Sequence, residues 1–276
     1  MTATAFTEEQ LERYSRQLLL REIGGDGQAR LLASSALMVG AGGLGSVALL
    51  YLAAAGVGML GIADGDAVEI SNLQRQVIHT MGRLGRNKAR SAQRAIRSLN
   101  PDCRVRALAE RLTARNVRGI VREYDVVLDG SDNFPTRYLV ADACWLEGVP
   151  LVSAAAIRFE GQLLTVLPLN GHSCYRCLYP EPPPPDASET CQALGVLGPV
   201  VGVMGALQAV EALKLLTGAG DLMADRLLVY DALRMRFVTG RRDRNPHCAL
   251  CGATPRIVEV EERDGAAACP GSPPVA

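Results

Sequence analysis

The 276-residue sequence lacks a surplus of charge of either sign, because 29 lysines and arginines balance 29 aspartates and glutamates. A chain without a basic surplus has no general electrostatic footprint for nucleic acid or for an anionic membrane surface. We therefore expect neither nucleic acid nor a membrane among its partners. An anionic ligand would have to be held by local cations.

Aromatic side chains are also scarce, at 4% of the sequence, and the N-terminus is too polar for a secretory signal peptide. We therefore expect a cytoplasmic protein whose eight cysteines serve metal or thiol chemistry rather than disulfides. Residues 36–63 carry no charge over 28 positions, which is long enough to span a bilayer. Seven glycines in that run favour a strand, a tight loop and a buried helix instead.

Apolar runs alternate with helical patterns along the first half of the chain. Predicted strands lie at 36–40, 59–64, 103–109, within 121–130 and at 150–156, with helical patterns at 43–55, 86–98 and 135–147. This alternation predicts an α/β fold with a doubly wound, Rossmann-like and mainly parallel sheet. The later strands at 161–169, 226–232 and 234–240 predict a C-terminal antiparallel extension.

The chain divides into three predicted parts. Residues 1–35 form an N-terminal helical segment, residues 36–253 form the main domain, and residues 254–276 form a tail that we expect to be disordered. Four successive prolines at 182–185 are incompatible with a β-strand, so we expect a crossover loop at about 178–198.

The segment GAGGLG at 40–45 matches G-x-G-x-x-G between a predicted strand and a predicted helix. Glycines there permit a tight turn, and the helix N-terminus offers N–H donors to a phosphate. Asp64 ends the next strand, where a carboxylate can bind the hydroxyls of a ribose. This pattern suits NAD as well as ATP, and a glycine turn without a ligand is the third interpretation.

Cations beyond the loop favour ATP over NAD. The segment SNLQRQ at 71–76 supplies Asn72 and Arg75, and Lys88 follows. ATP carries about four negative charges, of which the two cations would offset two and a magnesium ion two more. Asp132, just beyond a strand end, is well placed to hold that ion. The plainer alternatives are solvated surface charges for Arg75 and Lys88 and a helix cap for Asp132.

Two C-x-x-C pairs form a ligand set of the type that zinc prefers: Cys174 with Cys177, and Cys248 with Cys251. Closing the long loop between the pairs costs roughly 4 kcal/mol plus a constant, less than the roughly 10–16 kcal/mol that structural zinc contributes in small peptides. The alternative is two redox dithiols or free pairs. We expect the adjacent His172 and His247 to be neighbours of the site rather than ligands.

Cys191 lies in the proline-rich loop, in SETCQALG. A thiol on an exposed loop suits nucleophilic or sulfur-relay chemistry. The alternative is an incidental loop cysteine.

The motifs together resemble those of the ThiF/MoeB/HesA family of ubiquitin-activating-enzyme-like adenylyltransferases, over about residues 8–252. They are RYSRQLLL at 13–20, the glycine loop, SNLQRQ, SDN at 131–133, CYRC at 174–177 and the final C-x-x-C. The resemblance implies a homodimer, a structural zinc, Mg-ATP chemistry and adenylylation of the C-terminal glycine of a ubiquitin-like sulfur-carrier protein ending in Gly-Gly. A sulfur donor, of the cysteine desulfurase or rhodanese type, then yields a thiocarboxylate.

The resemblance also assigns roles to residues of this chain. Arg16 would reach the phosphates in the partner subunit's site, and Arg16, Arg75, Lys88, Asp132 and Cys191 would serve the chemistry. The nucleotide contacts would be Gly40, Gly42, Gly43, Gly45, Asp64, Asp66, Ser71, Asn72, Arg75, Lys88, Asp132 and Asn133. Cys174, Cys177, Cys248 and Cys251 would hold the zinc.

Branch-specific motifs are divided between thiamine and molybdopterin cofactor biosynthesis. The segment 195–216 and CYRCLYPE look closer to ThiF, whose carrier is ThiS, whereas AAIRFEGQ at 155–162 and LLVYDA at 227–232 look closer to MoeB, whose carrier is MoaD. The balance lies slightly on the thiamine side. No rhodanese domain follows, so we expect a separate sulfur donor. The alternatives are an NAD-linked oxidoreductase and a non-catalytic, zinc-stabilised scaffold that binds a ubiquitin-like partner.

Overall fold

A computed structural model describes residues 6–169, 171–183 and 194–261. Its strands are β1 Ser35–Val39, β2 Met59–Ala63, β3 Arg104–Leu108, β4 Val126–Asp129, β5 Leu151–Ile157, β6 Glu160–Val166, β7 Arg226–Asp231 and β8 Arg236–Arg241. They form one sheet in the order β3-β2-β1-β4-β5-β6-β7-β8. Strands β1 to β5 are parallel, and β6 to β8 extend the sheet with antiparallel pairs. The predicted α/β architecture is confirmed.

Helices cover both faces of the parallel strands. They are α1 Glu8–Arg13, α2 Ser15–Leu18, α3 Gly24–Ala33, α4 Gly43–Ala55, α5 Lys88–Leu99, α6 Val117–Val121, α7 Phe134–Glu147, α8 Tyr175–Leu178 and α9 Gly198–Thr217. Side chains alternate across β1, so that Met38 packs in the core beneath α4, α5 and α9, while Leu37 packs in the core with α6 and α7. The sheet therefore separates two hydrophobic layers.

The ends of the predicted parts differ in detail from the sequence-based boundaries. In its described residues the predicted N-terminal helical segment forms three helices, and β1 begins at Ser35. Ile257 and Val260 pack against the core of the domain, so ordered structure extends beyond residue 254, where we expected the tail to be disordered. Residues 184–193 of the crossover loop and 262–276 of the tail lie outside the described residues. The domain limits therefore stay predictions.

The uncharged residues 36–63 form most of β1, the glycine loop, α4 and β2, and so belong to the sheet and the helix that covers it. Helix α9 is long and apolar enough to cross a membrane by length and composition, yet half of its apolar 18-residue stretch is buried inside the fold. It packs closely on α4, because a Cβ added to Gly205 would lie 2.4 Å from the carbonyl oxygen of Leu44. The contact is with backbone, which a side-chain rotation cannot relieve.

This contact predicts that alanine substitutions at two glycines of α9 change the free energy of unfolding in opposite directions. We expect Gly205→Ala to separate α9 from α4 and to lower the free energy of unfolding by about 1–3 kcal/mol or more. The matched control is Gly202→Ala, whose Cβ meets only Val47 Cγ2, at 4.0 Å. Alanine there should stabilise the helix by up to about 1 kcal/mol. Urea unfolding measures both, and equal stabilities for the two variants would contradict the close packing.

Candidate active site

The glycine loop lies at the carboxyl end of β1, at the start of α4. A Cβ added to Gly45 would lie 2.0 Å from the carbonyl oxygen of Gly40, so the turn can close only with glycine at that position. Helix α4 has no side-chain cap hydrogen bond at its N-terminus. Its first N–H groups are therefore available to an anion, as the G-x-G-x-x-G pattern predicts.

Asp64 lies at the end of β2, beside this loop. Its Oδ2 accepts a hydrogen bond from the Ala41 amide at 2.8 Å, and its Oδ1 accepts one from the Asp66 amide at 2.9 Å. Burial raises the pKa of Asp64. Each carboxylate oxygen keeps a second lone pair, so Asp64 can fix the loop and still accept a ribose hydroxyl.

Lys88 is buried at the start of α5, which contradicts the alternative of a solvated surface charge. Its Nζ lies 3.3 Å from Asp66 Oδ2, and Arg111 approaches the same carboxylate at 3.4 Å. The structure thus places Asp66 as the ion-pair partner of Lys88. Asp66 thereby positions a cation, and its expected contact with nucleotide stays a prediction.

The predicted residues of SNLQRQ share one turn beside the glycine loop. Asn72 is buried, and its Oδ1 accepts a hydrogen bond from the Glu69 amide at 3.2 Å. Arg75 donates to the carbonyl oxygen of Ser71 at 3.1 Å. Among the described residues no carboxylate forms an ion pair with Arg75. Its positive charge is therefore available to a ligand.

His79 is a residue that sequence reasoning missed. Its buried ring contacts the carbonyl oxygen of Ala41 through Nε2 and Ser91 Oγ through Nδ1, both at 2.9 Å. Burial lowers the pKa of His79 and keeps the ring neutral, so one nitrogen donates and the other accepts. His79 thereby ties the glycine loop to the helix that carries Lys88. No sequence pattern marks it, because its partners are a backbone carbonyl and a distant serine.

The segment after β4 supplies the predicted metal-binding carboxylate. Asn133 Oδ1 accepts a hydrogen bond from the Thr136 amide at 3.0 Å and caps α7. The alternative that Asp132 is the cap is therefore wrong. Asp132 is exposed, and its Oδ1 accepts from Asn133 Nδ2 at 3.4 Å. Its carboxylate remains open to a hard cation.

Arg16 is exposed on α2 and lies away from its own glycine loop. The neighbouring Gln17 donates to the carbonyl oxygen of Ala55, which is the last residue of α4, at 3.0 Å. The glycine loop is at the other end of the same helix, which spans 13 residues and is therefore about 20 Å long. The fold does not bring Arg16 to the site of its own chain.

The four cysteines of the two C-x-x-C pairs converge, with all Sγ atoms within 4.8 Å of one another. The separations are 3.8 Å from Cys174 to Cys177, 3.5 Å from Cys174 to Cys248 and 3.3 Å from Cys177 to Cys251. Tetrahedral zinc with Zn–S bonds of about 2.3 Å requires about 3.8 Å between sulfurs. The separations of these sulfur atoms are therefore close to those of a tetrahedral four-cysteine zinc site.

The remaining sulfur and imidazole groups lie elsewhere. His172 pairs with Asp225 at 2.6 Å through Nδ1, and neither His172 nor His247 joins the four-cysteine cluster. Cys191 lies outside the described residues, so its predicted relay role is untested.

Comparison with known proteins connects this geometry to a family. The sequence model of a protein family described as the ThiF family matches residues 14–251 of this chain. The sulfur carrier protein adenylyltransferase of Thermus thermophilus is 49% identical over 259 residues, covering 92% of this chain and 96% of that protein. The SAMP-activating enzyme E1 of Haloferax volcanii is 48% identical over 260 residues, covering 94% and 95%.

A third relative is longer than this chain. The Bos taurus protein named adenylyltransferase and sulfurtransferase MOCS3 is 51% identical over 259 residues, which are 94% of this chain and 57% of that protein. The crystal structure of Escherichia coli MccB with AMPCPP and MccA shares the fold at a TM-score of 0.78 and 21% identity, covering 90% of this chain and 75% of that one.

Proposed function

The chain belongs to the ThiF family, and from that premise we propose that it is an adenylyltransferase acting on a ubiquitin-like sulfur-carrier protein that ends in Gly-Gly. The observation that carries the proposal is the convergence of the glycine loop, Arg75, Lys88 and Asp132 at the carboxyl ends of β1, β2 and β4. Relatives that share about half of its residues are named for sulfur-carrier adenylylation or E1 activation. They do not support the NAD-linked oxidoreductase or the scaffold.

The proposed reaction needs little proton transfer from the protein. The C-terminal glycine carboxylate of the carrier is already ionised at pH 7, so no general base is required. The carboxylate oxygen bonds to the α-phosphorus of ATP while the bond to the pyrophosphate oxygen breaks, giving an acyl-adenylate and pyrophosphate. Arg75, Lys88 and the N-terminus of α4 stabilise the negative charge that moves to pyrophosphate.

Two metals fit the described residues. Magnesium held by the open carboxylate of Asp132 would neutralise part of the polyphosphate charge. Zinc held by Cys174, Cys177, Cys248 and Cys251 would be structural, because four thiolates leave no open position for a substrate. It would join the segment after β6 to the segment after β8.

We further propose that the working form is a homodimer. Helices α4 and α9 pack side by side, and each exposes a large apolar side chain. Tyr51 on α4 is 57% exposed, and Val210 on α9 is 50% exposed. A second copy seated on such apolar residues would shield them from water. It would also give Arg16 a site to serve, since its own glycine loop lies at the far end of α4.

Several expectations extend the proposal beyond the site. The acyl-adenylate would receive sulfur from a donor protein of the cysteine desulfurase or rhodanese type, with Cys191 as a candidate relay. The product thiocarboxylate would serve thiamine or molybdopterin cofactor biosynthesis in the cytoplasm.

Isotope exchange between pyrophosphate and ATP tests the adenylylation step. With magnesium and a carrier of the ThiS or MoaD type ending in Gly-Gly, we expect exchange that depends on the carrier. Asp132→Ala should abolish exchange, because the carboxylate that holds magnesium is lost. The control Asp243→Ala, an exposed carboxylate after β8, should exchange as the wild type does. Exchange without any carrier, or full exchange by Asp132→Ala, would refute the proposal.

Mixed dimers test the role of Arg16. Arg16→Ala and Lys88→Ala should each be inactive alone, because every site lacks one cation. In a co-expressed mixture, half of the dimers are mixed, and each mixed dimer has one intact site, so about a quarter of wild-type exchange should return. A mixture as inactive as its components would show that Arg16 does not act across subunits.

A further inference from the structure

Gln76 ends the SNLQRQ turn and is buried, yet its side chain is unpartnered. Its Oε1 is shielded from solvent and has no hydrogen-bond partner. Among the described residues its Nε2 donates to no acceptor, but unlike Oε1 this atom is not shielded from solvent. A buried polar group without a partner lowers stability, so native structures rarely keep one without a reason.

Two of the other three buried unpartnered atoms in the described residues belong to side chains that are hydrogen-bonded at a second position. Gln208 also has a free Oε1, but its Nε2 donates to the carbonyl oxygens of Asp129 and Val152 at 2.8 and 3.1 Å. Arg242 has a free Nε, but its other nitrogens donate to backbone carbonyls. In these residues one end of the side chain is anchored. In Gln76 neither end is.

The turn directs the Gln76 amide at the glycine loop. The Gln76 backbone amide donates to Asn72 at 2.9 Å, and its carbonyl accepts from His79 at 3.0 Å, so both sides of the residue are fixed. A Cβ added to Gly42 would lie 3.7 Å from Gln76 Nε2, with no nearer atom within 4 Å. The side-chain amide therefore faces the loop at the point where Gly42 has no side chain.

The start of α9 closes the other side of this space. A Cβ added to Gly43 would lie 2.7 Å from Val201 Cγ2 and 3.5 Å from Arg75 Cγ. Gln76, Arg75 and the N-terminus of α4 thus surround the same part of the loop. A nucleotide would bring both kinds of missing partner, since phosphate oxygens accept hydrogen bonds and ribose hydroxyls donate them.

We propose that Gln76 is a nucleotide-binding residue whose Nε2–H donates to a phosphate oxygen of ATP at the glycine loop. The inference rests on the proposed function. An amide supplies direction without a further positive charge, which complements the cations Arg75 and Lys88. Because Nε2 is not shielded from solvent in the ligand-free protein, a phosphate oxygen can replace water as its acceptor.

Gln76→Met tests this role, because methionine fills a similar volume without polar atoms. Binding of Mg-ATP and of adenosine is measured by calorimetry or competition, together with the thermal midpoint of the ligand-free protein. The matched control is Gln74→Met, an exposed glutamine two residues earlier on the same turn.

We expect Gln76→Met to weaken Mg-ATP binding by about ten- to a hundred-fold, the range of one hydrogen bond to a charged group. Adenosine affinity should stay unchanged, and the ligand-free thermal midpoint should stay equal or rise. Gln74→Met should bind Mg-ATP as the wild type does. Wild-type affinity in Gln76→Met, or equal losses for ATP and adenosine, would overturn the inference. Failure of the wild type itself to bind Mg-ATP would instead overturn the proposed function.

Discussion

The placement of β1 between β2 and β4 is the constraint on which the proposed site depends. The chain winds from β1 outward to β2 and β3 and then returns to β4 on the other side. Such a reversal leaves a crevice at the carboxyl ends of the central strands. The glycine loop, Asp64 and Asp132 follow the three strands that meet there. Their proximity is a consequence of topology, although they are far apart in sequence.

Ion pairs and hydrogen bonds within the crevice fix the positions of its charged side chains. Asp66 holds the buried Lys88, and His79 fixes the loop against the helix that carries it. Arg75 stays without a carboxylate partner among the described residues. In the empty site the charge of the buried Lys88 is compensated by Asp66, which avoids the cost of an unpaired buried charge. Arg75 remains open and can bind a polyanion. Gln76 extends the same arrangement with a neutral donor.

Local pattern predicted the parts of the molecule that depend on spacing. The alternation of apolar runs with helical patterns predicted the parallel sheet, and GAGGLG predicted the turn before α4. Both patterns can be read from residues that are close together in the sequence. Two C-x-x-C pairs predicted a common site whose sulfurs do converge. The role of Arg16 came only from family resemblance, since a contribution to another subunit leaves no pattern within one chain. His79, Gln76 and the ion pair between Asp66 and Lys88 were missed, because each depends on contacts between segments that only the fold brings together.

The mass of the carrier after reaction tests the central claim most directly. A ubiquitin-like carrier ending in Gly-Gly is incubated with this protein, Mg-ATP and pyrophosphatase, then analysed intact by mass spectrometry. The account predicts a gain of one adenylyl group at the C-terminal glycine, absent from a carrier that lacks that glycine. The claim would be contradicted if the carrier stayed unmodified and ATP was consumed at the same rate with the carrier as without the carrier.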